Sequence, residues 1–118
     1  MSTYFWTPEQ RQIRESVMKL CERFDDQYWL ERDETGEFPE DFCQTMADDG
    51  WAGIAMPVEY GGAGLGITEA AIMSQVITES GCGNAGFAAM VIGIFGLNPV
   101  VVFGTDEQKQ KWLPPVIR

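Results

Sequence analysis

Three kinds of residue in this chain could do chemistry by type and spacing: a glycine-rich loop, three cysteines and a surplus of carboxylates. The loop runs Met56-Pro57-Val58-Glu59-Tyr60-Gly61-Gly62-Ala63-Gly64-Leu65-Gly66. Glycines at this density let a backbone take positive φ and approach a phosphate closely. The register is wrong for that use. No glycine falls three residues after the second of a G-x-G pair, and Ile67 stands where a P-loop carries its lysine. With no strand pattern before it, the loop reads as a structural connection between helices.

Cys21, Cys43 and Cys82 are odd in number, widely separated and without a C-x-x-C pair. They fit reduced thiols used as small buried hydrophobes, so a cytoplasmic or other reducing intracellular compartment is expected. Histidine is absent. That removes Ser-His-Asp and Cys-His nucleophiles and His-containing zinc sites, and no metal centre is expected. Asp and Glu number 18 against 8 Lys and Arg, a formal charge of −10. Such a surface opposes nucleic-acid binding and cannot by itself hold the polyphosphate end of a nucleotide cofactor. Many of these acids are nominal bases, but none has a motif that singles it out. Asp48 and Asp49, near the negative end of a short helix, read as solvated surface acids.

The elements that would position any site are helical throughout. Thr7-Pro8-Glu9-Gln10 is a capping box with proline at the first helical position. Ile13, Val17, Leu20, Phe24 and Tyr28 then recur at intervals of three and four, predicting one long helix that fades in Glu31–Glu34 and stops by Gly36. Phe38-Pro39 opens a shorter helix with Phe42 and Met46 inward and Gly50 as a left-handed cap. After the glycine loop, a helix from about Gly66 to Ser80 carries Ile72, Met73, Val76 and Ile77, and Gly81 ends it. Residues 80–105 contain no charge. Ala85–Leu97 is apolar nearly all round and predicts a helix buried on most sides. Asn98-Pro99 should interrupt it, leaving less than the roughly 20 apolar residues that a bilayer needs, so no membrane span is expected. Thr105-Asp106-Glu107-Gln108 is a second capping box, whose helix should halt at Pro114-Pro115. The fold class is therefore all-α, a bundle of about five to six helices. At 118 residues the chain has room for one domain.

Taken in order, these motifs resemble the N-terminal α-helical domain of the acyl-CoA dehydrogenases, which are flavoproteins. The resemblance covers essentially the whole chain, 1–118. It is carried by Thr7-Pro8-Glu9-Gln10, Phe38-Pro39 and Gly50-Trp51-Ala52-Gly53-Ile54. The specific part is Met56-Pro57-Val58-Glu59-Tyr60-Gly61-Gly62-Ala63-Gly64, followed at the family's distance by Phe103-Gly104-Thr105-Asp106-Glu107-Gln108-Lys109 and Trp112-Leu113-Pro114-Pro115.

The resemblance implies an enzyme of three domains, in which a carboxylate removes the α-proton of an acyl-CoA thioester and the β-hydrogen passes as hydride to FAD. It also implies that the base and most flavin contacts belong to the middle β-domain and the C-terminal helical domain, neither of which is present here. No catalytic residue is therefore expected in this chain, its cofactor-binding residues are unassigned, and alone it should be inactive. The implied partners are an acyl-CoA substrate, the missing domains, an electron-transfer partner that reoxidises the flavin, and further copies in a homo-oligomer. The helical domain's implied part is a wall of the acyl pocket. Ala88, Val91, Ile92 and Phe95 share a sector of the apolar helix and are the candidate substrate-binding residues, with Phe95 limiting depth. The alternative is a standalone helical interaction module with the same fold and no catalysis.

Overall fold

A computed structural model describes residues 5–118. The described residues form helices α1 (Pro8–Cys21), α2 (Asp26–Thr35), α3 (Glu40–Asp48), α4 (Ile67–Ile77), α5 (Gly83–Phe103) and α6 (Asp106–Ile117). A 3-10 turn, Val58–Tyr60, sits in the glycine loop, and a π-helical turn, Thr78–Cys82, joins α4 to α5. No strand occurs among them, so the fold is all-α as the sequence implies.

Both capping boxes form. Thr7 Oγ1 accepts from the Gln10 N–H (3.1 Å) while Gln10 Oε1 accepts from the Thr7 N–H (3.0 Å), and Thr105 and Gln108 repeat the exchange. Gly50 takes φ 88° just after α3. The two carboxylates at that end have polar neighbours: Asp48 accepts from Gln44 (2.8 Å) and Asp49 from the Trp51 indole (2.9 Å).

Four expectations are corrected. The first long helix is two, because Asp25 adopts an extended backbone and its carboxylate accepts from the Tyr28 N–H at 2.9 Å, which starts α2 afresh. The three-and-four pattern ran straight across this break because Phe24, inside the turn, still points into the core. Asp25→Ala should therefore cost about 1 kcal/mol while Asp25→Asn stays within a few tenths, measurable by urea denaturation. Second, α5 does not stop at Asn98-Pro99 but runs through Pro99 to Phe103. Third, α6 runs through Pro114 and Pro115 to Ile117, held by burial of Leu113 and Ile117 against Met56. A proline in a helix forfeits one hydrogen bond, a loss that packing on both sides can outweigh.

The fourth correction concerns burial. Only Gly86, Met90 and Ile94 of α5 are buried. The molecule is a slab of 42 × 39 × 19 Å, so one helix cannot be covered on every side. Ile92 (68% exposed), Phe95 (70%) and Phe103 (86%) lie open on its surface. By length and composition alone, the run Ile67–Phe103 is long and apolar enough to cross a membrane, although the turn at Gly81 breaks its axis.

The main core joins α1, α2, α3, α4 and α5 through Val17, Leu20, Phe24, Trp29, Phe42, Met46, Met73, Val76, Ile77, Met90 and Ile94. α3 has no capping side chain of its own. The Phe42 N–H in its first turn donates instead to the Tyr28 hydroxyl (3.3 Å), a cap supplied by α2.

Candidate functional site

An apolar concavity lies between α4 and α5, a groove of about 510 Å³. Its shape follows from residue size. α4 presents Ala70, Ala71 and Ser74, and α5 presents Phe87, Val91, Ile94 and Phe95. Small side chains facing large ones leave a trough that the two backbones do not close. Ile67 stands at its edge, and Gln75, Thr78 and Glu79 line it one and two turns further along α4 and into the π-helical turn.

The polar groups there offer little to a ligand. The Ser74 hydroxyl donates to the Ala70 carbonyl and that of Thr78 to the Ser74 carbonyl, each at 2.9 Å. Glu79 accepts from Arg14 (3.1 Å) and from Gln75 (3.0 Å). The Arg14 guanidinium also lies 5.3 Å from the centre of the Trp6 ring. With the hydroxyls and the carboxylate thus engaged, the trough suits hydrocarbon rather than a charged or hydrogen-bonding group.

Of the four residues singled out in the sequence, Val91 and Phe95 line the groove and Ala88 and Ile92 do not. Ala88 is half-buried and Ile92 exposed, one residue further round the helix on the adjoining stripe. Phe87 and Ile94 were missed, as was all of the α4 wall. The spacing Phe87, Val91, Ile94, Phe95 was the available signal, since residues at i, i+4, i+7 and i+8 share a helix face.

The glycine loop is a structural connection, as its register suggested. Its backbone is knotted to the segment before it, with the Ala63 N–H donating to the Gly53 carbonyl (2.9 Å) and the Gly64 N–H to the Met56 carbonyl (2.8 Å). Those amides point inward to carbonyls instead of converging on an anion.

The family model described as acyl-CoA dehydrogenase, N-terminal domain, matches residues 7–118, and the chain belongs to that family. It is 36% identical over 97% of its length to a 3-(aryl)acrylate reductase of Clostridium sporogenes, covering 30% of that protein. It is 34% identical over 93% of its length to a "Probable acyl-CoA dehydrogenase YngJ" of Bacillus subtilis, covering 29%. With the mitochondrial isovaleryl-CoA dehydrogenase of Pongo abelii it shares 32% identity over 92% of its length, covering 26%. The chain thus spans less than a third of the length of these relatives.

Proposed function

We propose that this chain is the N-terminal portion of an FAD-dependent acyl-CoA dehydrogenase, and that it contributes a wall of the pocket for the acyl tail. The observation that carries the reading is the α4–α5 groove, apolar along its length and bordered by Val91 and Phe95. In this reading the tail lies along α5 over Val91 and Phe95, and Ala88 and Ile92 border it from the adjoining stripe. The relatives are named for an arylacrylate in one case and isovaleryl-CoA in another, so family membership alone does not choose the acyl group.

The groove does not fit a flavin. An isoalloxazine ring needs partners for its carbonyls and ring nitrogens, and a pyrophosphate needs cations or converging amides. The hydroxyls lining this trough are turned to their own helix, and Glu79 would repel a phosphate. The flavin, the base and the acceptor that reoxidises the flavin are assigned to parts of the enzyme outside these residues, and the chain alone is inactive. The exposed apolar row of Ile92, Phe95 and Phe103 lies against those parts or along the substrate.

Phe95→Ala in the complete enzyme is the test. It should raise kcat/KM for longer or bulkier acyl-CoA substrates relative to short ones by about tenfold, the scale of one or two methylenes in an apolar pocket. An unchanged chain-length profile would remove Phe95 from the pocket.

A further inference from the structure

The two walls of the α4–α5 groove are unequal, and the inequality decides the shape of what fills it. On α4 the wall is Ala70, Ala71 and Ser74, where no side chain reaches further than a hydroxyl on Cβ. On α5 it is Phe87, Val91 and Phe95, one stripe at i, i+4 and i+8. Ala70 (2% exposed) and Ile94 (7%) are buried and form the floor. Ala71 and Phe95 stand exposed at the two rims.

The trough is wide for its length. From Phe87 to Phe95 an α-helix advances about 12 Å. A volume of about 510 Å³ over that length is a mean section of roughly 40 Å². One file of methylenes, kept at contact distances of about 4 Å on each side, fills about half of that section. Its flanks would lack partner atoms and forfeit their dispersion contacts. A ring spans the width instead, and the groove has about three times the roughly 150 Å³ of an apolar cavity that holds one benzene. The rims favour a ring as well. Phe24, Tyr28, Trp29 and Phe42 pack edge to face on one another in the core. Phe87 and Phe95 belong to no such group among the described residues, and a ring lying over Val91 is flanked by both. The Ser74 and Thr78 hydroxyls are bonded to their own helix, so neither selects for a polar substituent on that ring.

We propose that the small wall of α4, Ala70, Ala71 and Ser74, is a specificity element, and that it sets the groove for an acyl tail ending in a hydrocarbon ring rather than an unbranched chain. This rests on the reading of the groove as a wall of the acyl pocket. Its physical basis is subtraction: the space for the ring is the space that larger side chains on α4 would occupy. The roof supplied by other parts of the enzyme closes the open side, while the width stays fixed by the packing of α4 on α5.

The complete enzyme is assayed with 3-phenylpropanoyl-CoA and with nonanoyl-CoA, the unbranched thioester of equal carbon count, by reduction of an artificial electron acceptor. The unaltered enzyme should show the higher kcat/KM for the ring-bearing thioester. Ala71→Leu and Ser74→Leu thicken the α4 wall. Each should lower that value about 50-fold, within the range that one methylene of misfit in an apolar pocket produces, and leave nonanoyl-CoA within about threefold. Ala71 is exposed, so leucine there leaves the core untouched, and an unchanged urea midpoint checks this. Preference for nonanoyl-CoA, or an equal fall for both thioesters, would overturn the ring assignment and keep the groove as an acyl wall. Values for both thioesters unmoved by either leucine would overturn the ring assignment and the acyl wall together.

Discussion

Gly62→Ala should destabilise the native protein by about 3 kcal/mol, the upper end of what overpacking ordinarily costs. A Cβ built on Gly62 would lie 2.2 Å from the Met56 carbonyl oxygen, 2.5 Å from its carbon and 2.8 Å from the Met56 Cβ. These are mostly backbone atoms, and none can swing aside as a lysine tip would. Nor can the two strands of the loop drift apart. The Gly62 N–H donates to the Pro57 carbonyl (3.0 Å), the Gly64 N–H to Met56 (2.8 Å) and the Leu65 N–H to Ile54 (3.0 Å). Met56 is itself locked between Leu113 and Ile117, so a shift here loosens α6 as well. Gly96→Ala is the contrasting change. A Cβ there meets nothing within 4 Å on an exposed helical position, and alanine should stabilise by up to about 1 kcal/mol. Urea denaturation should move the two midpoints in opposite directions. Equal midpoints would mean that the loop does not close as tightly as described.

The same loop shows how much of this molecule is legible in its sequence. Its motif and its connecting role were readable because glycine and proline act locally. The reason Gly62 must be glycine was not, because the atom it would strike belongs to a residue six positions earlier. Helix starts were legible for the first reason: a capping box is complete within four residues. The break at Asp25 was equally local, but an uninterrupted apolar pattern outvoted it. Ends of helices at Pro99 and Pro114-Pro115 went wrong because tertiary packing decides whether a helix tolerates proline: Leu97, Val100 and Val101 beside Pro99 pack on the same small cluster that buries Leu113 and Ile117 of α6.

The lining of the candidate groove was half legible for a different reason. Of the four candidates, Val91 and Phe95 line the α4–α5 groove, whereas Ala88 and Ile92 do not and Phe87 and Ile94 do. A helix apolar on every side has a period but no phase, so its sequence cannot say which stripe faces a neighbour. The phase is set by the small residues of α4. Ala70, Ala71 and Ser74 are too short to announce themselves as a wall.

The other large effect should come from Phe42→Ala, at about 3–5 kcal/mol, the range for emptying a buried aromatic site. Phe42 is wholly buried and meets Phe24 (centroids 5.3 Å, planes at 87°) and Trp29 (5.0 Å, 73°) edge to face. Those rings come from three different segments: the turn after α1, α2 and α3. Tyr28 closes the group by packing on Phe24 and Trp29 and by capping α3 at the Phe42 N–H. The Arg32 guanidinium covers its ring from outside at 3.9 Å. Removing the Phe42 ring therefore opens a cavity at the one point where these segments lock together. Against a usual total stability of roughly 5–15 kcal/mol, that is a large share. Phe42→Leu keeps most of the volume but not the ring edges, and should cost about half as much. Ile92→Ala, on the open face of α5, should stay within about 0.5 kcal/mol. The decisive reading is the order of the three urea midpoints, with Phe42→Ala lowest. If Phe42→Ala unfolds no earlier than Ile92→Ala, the aromatic group does not hold α2 and α3 to the rest.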